Sequence, residues 1–148
     1  MALNFNHFAS EANAFIKKYA KELNLETDTD KAGRILSSIL HGLREIISTE
    51  ESLQLLAQLP MFLKAVYVNG WSSHKKTKIK NKAQFIDLVR EFNGVTAWHD
   101  FETDKETENY INNTFLLLRD YVSLGELKDI RTALPKDLKS MIFQKIII

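Results

Sequence analysis

Three polar residues at four-residue steps could form a catalytic group. Ser37, His41 and Glu45 are spaced so that a helix would place them on one face. A serine nucleophile, a histidine base and an orienting carboxylate are the same three residue types. However, successive members would lie about 6 Å apart along a helix axis, and the sequence indicates no oxyanion donor. We therefore predict no catalytic residue, and expect His41 to lie at a helix surface paired with Glu45.

A second polar group could bind a metal ion. His99, Asp100, Glu102 and Asp104 offer nitrogen and oxygen ligands within six residues. Their spacing matches no established metal motif, and acidic residues there also suit the start of a helix capped by Thr103 or Asp104. The chain has no cysteine, so thiolate metal sites and disulfides are excluded. We predict no metal and no other cofactor.

Five lysines make 72–82 the most basic segment of the chain. A local charge of this size could bind phosphate groups, and the preceding Trp71 could stack on a base. The formal net charge of the whole chain is only +1. A nucleic-acid-binding protein usually spreads basic charge over a surface with several aromatic side chains, so nucleic acid is not the expected partner. We expect a solvated linker. The alternatives are a contact with the acidic segment from Asp100 to Glu108, within the chain or between subunits, and polyanion binding. The candidate polyanion contacts are Lys75, Lys76, Lys78, Lys80 and Lys82.

Four residues are candidates for contact with a protein partner: Trp71, Trp98, His99 and Phe101. Trp98 and Phe101 are flanked by polar residues, and exposed aromatic side chains of this kind commonly bind partners. The alternative is that they pack back against the helix that follows. The three isoleucines that end the sequence are expected either to dock on the same chain or to form a homodimer interface.

Apolar residues at three- and four-residue steps predict helices over nearly the whole chain, starting at Leu3. Ser48 and Ser123 are each followed three residues later by glutamate, which is the pattern of a capping box. Pro60 ends one short helix and suits the first turn of the next. The two longest apolar stripes are Ala32, Ile35, Leu36, Ile39, Leu40, Leu43, Ile46 and Ile47, and then Tyr110, Ile111, Thr114, Phe115, Leu118, Tyr121 and Val122.

These features recur at a fixed spacing. Ser48 and Pro60 have counterparts 75 positions later at Ser123 and Pro135, whereas Phe15 and Phe85 are 70 positions apart. About five additional residues therefore lie within 95–103. Recurrence at a fixed period indicates a duplicated helical unit.

The predicted fold class is all-α, with two tandem four-helix units related by pseudo-twofold symmetry. The units are residues 1–71 and 82–148, joined by a Lys-rich linker at 72–82. A unit of this size buries its apolar stripes poorly alone, so we expect one helical-bundle domain over residues 1–148.

Five segments of the chain together are similar to one known family: Ile39 to Glu45, Ala57 to Lys64, Tyr67 to Trp71, Gly125 to Ile130 and Ala133 to Leu138. Through them the sequence resembles the bacterial family DUF2267, a domain of unknown function. The resemblance extends over nearly the whole chain and implies a helical fold and a bacterial origin. Since the family has no established activity, it implies no catalytic residue, and the longer connection through Trp98 to Glu102 departs from the family pattern.

The remaining signals favour an interaction protein over an enzyme. No signal peptide is expected, and the longest apolar run, Leu53 to Leu63, is shorter than the roughly 20 residues of a membrane span. We predict a non-enzymatic helical-repeat module of a bacterial cytoplasmic protein, acting through protein interaction or self-association. Polyanion binding through Lys75 to Lys82 is the alternative.

Overall fold

A computed structural model describes residues 3–72 and 76–142, without the side chains of residues 140–142. Within these ranges the chain is helical and contains no strand, which confirms the predicted all-α class. The helices are α1 (Phe5–Glu22), α2 (Thr29–Ile46), α3 (Thr49–Gln58), α4 (Met61–Val68), α5 (Lys82–Asn93), a 3-10 turn (Gly94–Thr96), α6 (Ala97–Asp100), α7 (Asp104–Leu118), α8 (Leu124–Thr132) and α9 (Lys136–Ile142).

Side-chain caps define where several helices begin. The hydroxyl oxygens of Ser48 and Ser123 accept from the backbone amides of Glu51 and Glu126, at 3.1 and 3.2 Å. The serine half of both predicted capping boxes is therefore present. Pro60 precedes the first residue of α4, as predicted, because its missing amide hydrogen is not needed there.

At the ends of two predicted helices the structure differs from the apolar pattern of the sequence. Leu3 and Phe5 are exposed, since only the second half of α1 is covered by α2, α4 and α7. The second long stripe was expected to continue as helix to Val122, but α7 ends at Leu118. Tyr121 lies in the turn that follows, partly exposed, with its ring against Phe15. Helical periodicity predicts a face, not the length over which another helix covers it.

Helices from the first and second parts of the chain pack against one another. The most extensive contact joins α2 to α5, where Gly42 allows close approach: a Cβ at that position would lie 3.1 Å from the Val89 side chain. Deeper in the core, the buried hydroxyls of Tyr19 and Thr114 form a 2.7 Å hydrogen bond. Buried apolar side chains from both parts form one cluster.

The helix positions match the spacing found in the sequence. Helices α7, α8 and α9 each begin 75 residues after α2, α3 and α4, respectively. Duplication predicts this agreement, although the repeat and its pseudo-twofold symmetry stay predictions. The additional residues before α7 form a 3-10 turn and α6, elements that the four-helix unit did not predict.

Among the helices of residues 3–72 and 76–142, none combines the length and the apolar character needed to cross a membrane.

Candidate functional site

The segment between α5 and α7, residues 94–101, combines exposed apolar side chains with buried anchors. We call it the insertion. Gly94 ends α5 with a φ of +81°, a left-handed conformation that favours glycine. Val95 is 91% exposed and Trp98 is 78% exposed. Together with the exposed His99, these two residues form what we call the insertion surface.

Asp100 anchors the insertion from beneath and is completely buried. Arg34 on α2 binds its carboxylate through both oxygens, with Nε to Oδ2 at 2.8 Å and Nη2 to Oδ1 at 3.0 Å. Asn93 donates to Oδ2 at 3.0 Å, and His99 Nδ1 lies 3.1 Å from Oδ1. Burial alone would raise the pKa of Asp100, but these hydrogen bonds outweigh it and hold that pKa well below its usual range.

The side chain of Asn93 connects three elements. Its amide nitrogen donates both to Asp100 and to Ser38 Oγ, the latter at 3.1 Å, while its amide oxygen accepts from the Thr96 hydroxyl. Ser38 in turn donates to the backbone oxygen of Arg34 at 2.7 Å. Helices α2, α5 and α6 are therefore joined by one network in which each member fixes the orientation of the next.

Phe101 provides the second anchor. Only 1% of this residue is exposed, and its ring packs edge-on against Tyr110 with a centroid separation of 6.2 Å. Its backbone oxygen accepts from Arg90 Nε at 3.1 Å. The candidate role of Phe101 as a partner contact is therefore corrected, because its ring belongs to the core. Trp98, three residues earlier, lies on the outside.

Two acidic residues of this region bind arginines. Asp100 pairs with Arg34, and Asp104 pairs with Arg90 at 2.8 Å. Among the described residues, no group of three or more histidine, cysteine, aspartate or glutamate side chains could hold a metal ion. His99 and Asp100 are in contact, but the four suggested ligands at positions 99 to 104 do not form such a group.

Two of the three polar residues on α2 bind partners from other segments of the chain. His41 Nε2 lies 2.7 Å from the backbone oxygen of Val66 on α4, a different partner from the predicted Glu45. Burial lowers the pKa of His41, so the neutral ring donates to that oxygen. Glu45 instead accepts from the Thr77 hydroxyl at 3.1 Å.

The described part of the Lys-rich linker, residues 76–81, lies against α2, and we call it the connector. The Thr77 amide donates to the backbone oxygen of Glu45 at 3.2 Å. Lys76 donates to the backbone oxygen of Arg44 at 2.9 Å, and its Nζ lies 5.3 Å from the centre of the Trp71 ring. The expected solvated linker is therefore partly docked, through Lys76 and Thr77.

Two of the candidate polyanion contacts, Lys76 and Lys82, bind other groups of the chain. Lys82 is the first residue of α5 and pairs with Glu108 at 3.2 Å. Lys78 and Lys80 are exposed, whereas Lys75 lies outside the described residues, as do the terminal isoleucines. Trp71, a further candidate contact, is half-buried and packs edge-on against Tyr67.

An apolar groove of about 540 Å³ opens between α1, α2 and α4. All of its lining residues belong to the first predicted unit, so it does not lie between the two units. The apolar side chains that line it include Phe15, Ile16, Leu36, Phe62 and Val66.

Trp98 and His99 of the insertion surface were predicted from the sequence as contacts, whereas Val95 and the supports beneath the surface were not. Arg34, Ser38 and Asn93 were not singled out, because each is an ordinary polar residue of an amphipathic helix. Their common partner, Asp100, is 66 positions from Arg34, and no local pattern links the two.

Comparison with known proteins identifies one family model that matches residues 12–141, that of an uncharacterized conserved protein family, DUF2267. The match extends from α1 into α9 and includes the insertion. No curated protein matches the chain.

Proposed function

The chain belongs to the DUF2267 family, and we propose that it is a protein-interaction module whose contact surface is the insertion surface. One observation carries the proposal: Trp98 is 78% exposed, although Asp100 and Phe101, two and three positions later, are buried. Large aromatic side chains are enriched among the residues that dominate binding energy at interfaces. The proposed setting is the bacterial cytoplasm, as the sequence predicts.

The support beneath Trp98 favours binding. A tryptophan buries roughly 150–250 Å² on contact, worth about 4 to 6 kcal/mol before ordering costs are subtracted. Those costs are smaller when the contact lies on a rigid element. The network around Asp100 holds α6 against α2 and α5. The backbone that carries Trp98 is therefore already fixed before a partner binds, and the ordering cost falls mainly on its side chain.

The expected partner is a protein with an apolar pocket that accepts an indole ring. A second copy of the chain is one such partner, because each copy carries the groove between α1, α2 and α4. Self-association and binding to another protein are thus two forms of the same proposal, and both depend on Trp98.

Affinity capture from the native cell tests the proposal, using the full chain and two variants as bait. Leu53 on α3 is an exposed apolar residue away from the insertion, so Leu53→Ser is the matched control for Trp98→Ser. We expect the wild type and Leu53→Ser to retain the same partners, and Trp98→Ser to lose them.

Light scattering on the same three proteins measures their mass in solution and tests whether the chain associates with a second copy. We expect a concentration-dependent mass for the wild type and Leu53→Ser and a monomer for Trp98→Ser. Identical partners and identical masses for all three proteins would refute the proposal.

Polyanion binding remains the lesser proposal. It would depend on Lys78 and Lys80, since Lys76 and Lys82 already bind groups of the chain itself. A gel-shift assay with mixed DNA and RNA at low salt tests it: binding that disappears in the variant Lys78→Ala with Lys80→Ala would support this function.

A further inference from the structure

Two glutamates occupy the same position in two helices that pack on each other. Glu51 and Glu126 each lie three residues after a serine cap, in the first turns of α3 and α8. These helices are in contact, and Gln58 of α3 accepts from the backbone amide of Ser123 at 2.6 Å. Glu126 is only 7% exposed. The contact between α3 and α8, which we call the glutamate joint, therefore encloses an acidic side chain.

Two carboxylate oxygens in the glutamate joint lack a hydrogen-bond donor among the described residues. Glu51 Oε2 and Glu126 Oε1 are buried, and neither has a hydrogen-bond partner among the described residues. The two side chains lie within hydrogen-bonding reach of each other. An ionised carboxylate can only accept, so two ionised groups here would repel and stay unsatisfied. One proton on the pair turns one carboxyl into the donor that the other requires.

The surrounding charges reinforce this arrangement. Burial is the largest cause that raises the pKa of Glu126, followed by the negative charge of Glu51 from α3 and that of Asp129 from α8 itself. Together they raise the pKa of Glu126 to about 7. Among the described residues, no cation is among the causes of this shift, whereas Arg34 lowers the pKa of Asp100.

We propose that Glu51 and Glu126 bind one shared proton across the glutamate joint, and that loss of this proton weakens the packing of α3 on α8. This property is independent of the insertion surface. In the unfolded chain the glutamate releases its proton near its ordinary pKa of 4.5, whereas the folded protein retains it to about pH 7. The folded state then binds more protons than the unfolded state, so stability falls as pH rises across this window.

Thermal unfolding of the full chain between pH 5 and pH 8 tests the proposal. Glu126→Gln places an uncharged donor at the joint, so its melting temperature should match the wild type at pH 5 and exceed it by several degrees at pH 8. Glu51→Gln should behave similarly and covers the case in which the first variant does not fold. Glu50→Gln, which removes an exposed charge from the same turn of α3, should keep the pH profile of the wild type.

A carbon-13 NMR titration gives a second readout, because it follows the protonation of the Glu126 carboxyl itself and not the stability of the whole chain. A midpoint close to pH 7 supports the shared proton. A midpoint near 4.5, or a Glu126→Gln variant whose melting temperature falls with pH as steeply as that of the wild type, would overturn it.

Discussion

The connector and the insertion both depart from the 75-residue spacing, and each covers a charged side chain, a lysine in the connector and an aspartate in the insertion. In the connector, the charged Lys76 lies partly covered against Arg44 and Trp71. In the insertion, the apolar Val95 and Trp98 face outward while the charged Asp100 is buried. Burial in these segments therefore follows the supply of partners and not the hydropathy of the residue.

The two segments also differ in how strongly they are held. The connector is joined to α2 by single hydrogen bonds that are partly exposed, each worth about 0.5 to 1.5 kcal/mol. The insertion is held by a bidentate ion pair and a buried aromatic ring. We therefore expect the insertion to keep its shape under conditions in which the connector detaches from α2.

The largest effect should come from the aromatic anchor of the insertion. Phe101→Ala leaves a cavity beside Tyr110 and should lower the free energy of unfolding by about 3 to 5 kcal/mol, measured by urea denaturation. Phe92→Ala, at a partly exposed ring on α5, should cost less than half as much. Equal losses for the two variants would show that Phe101 does not anchor the segment.

Removal of the buried charge should have the next largest effect. Asp100→Asn leaves Arg34 without its carboxylate and should cost about 2 to 3 kcal/mol, less than a fully buried pair because Arg34 is 40% exposed. Asp104→Asn removes a carboxylate that is 71% exposed and should cost less than about 1 kcal/mol. If both variants lost a similar free energy of unfolding, Asp100 would contribute no more to stability than the exposed Asp104.

The pH dependence of stability should distinguish the insertion from the glutamate joint. The folded-state pKa of Asp100 is depressed, so its contribution is present above its ordinary pKa and is lost as pH falls. Glu126 has the opposite sign, and its contribution is lost as pH rises towards 7. Stability should therefore be highest between these two losses, and Asp100→Asn should flatten only the acid side of the profile.

A smaller effect is expected in the connector. Lys76→Ala removes a hydrogen bond to Arg44 and a contact with the Trp71 ring, so it should cost about 0.5 to 1.5 kcal/mol in urea denaturation. The exposed Lys78→Ala is the control and should leave stability unchanged. An equal change in both would mean that the connector is not docked on α2.

The smallest effect on stability should come from the insertion surface itself. Trp98→Ser removes an exposed side chain and should change the free energy of unfolding by no more than about 0.5 kcal/mol. A melting temperature close to that of the wild type checks this expectation. A loss as large as that of Phe101→Ala would show that Trp98 packs into the core.

Local signals predicted much of the helical framework. Serine caps at Ser48 and Ser123, the break before Pro60 and the stripe on α2 each depend on a few adjacent residues, and all were found where the sequence indicated them. The spacing of 75 positions likewise agrees with where α7, α8 and α9 begin.

Contacts between segments that are distant in the sequence could not be predicted from local patterns. His41 binds Val66 on another helix, and Arg34 binds Asp100 across 66 positions. Glu51 and Glu126 were predicted to be equivalent in sequence, but their encounter depends on how α3 packs on α8. The same limit explains Phe101, whose burial is decided by Tyr110 on α7 and not by its polar neighbours in sequence.

Site-specific photocrosslinking in the native cell tests most directly whether the insertion surface binds a protein. A benzophenone side chain replaces Trp98 in one protein and the exposed Leu53 in a second. We predict a discrete crosslinked adduct with a protein, or with a second copy of the chain, at position 98 and none at position 53. The absence of an adduct at position 98, or the same adduct at both positions, would contradict the proposed function.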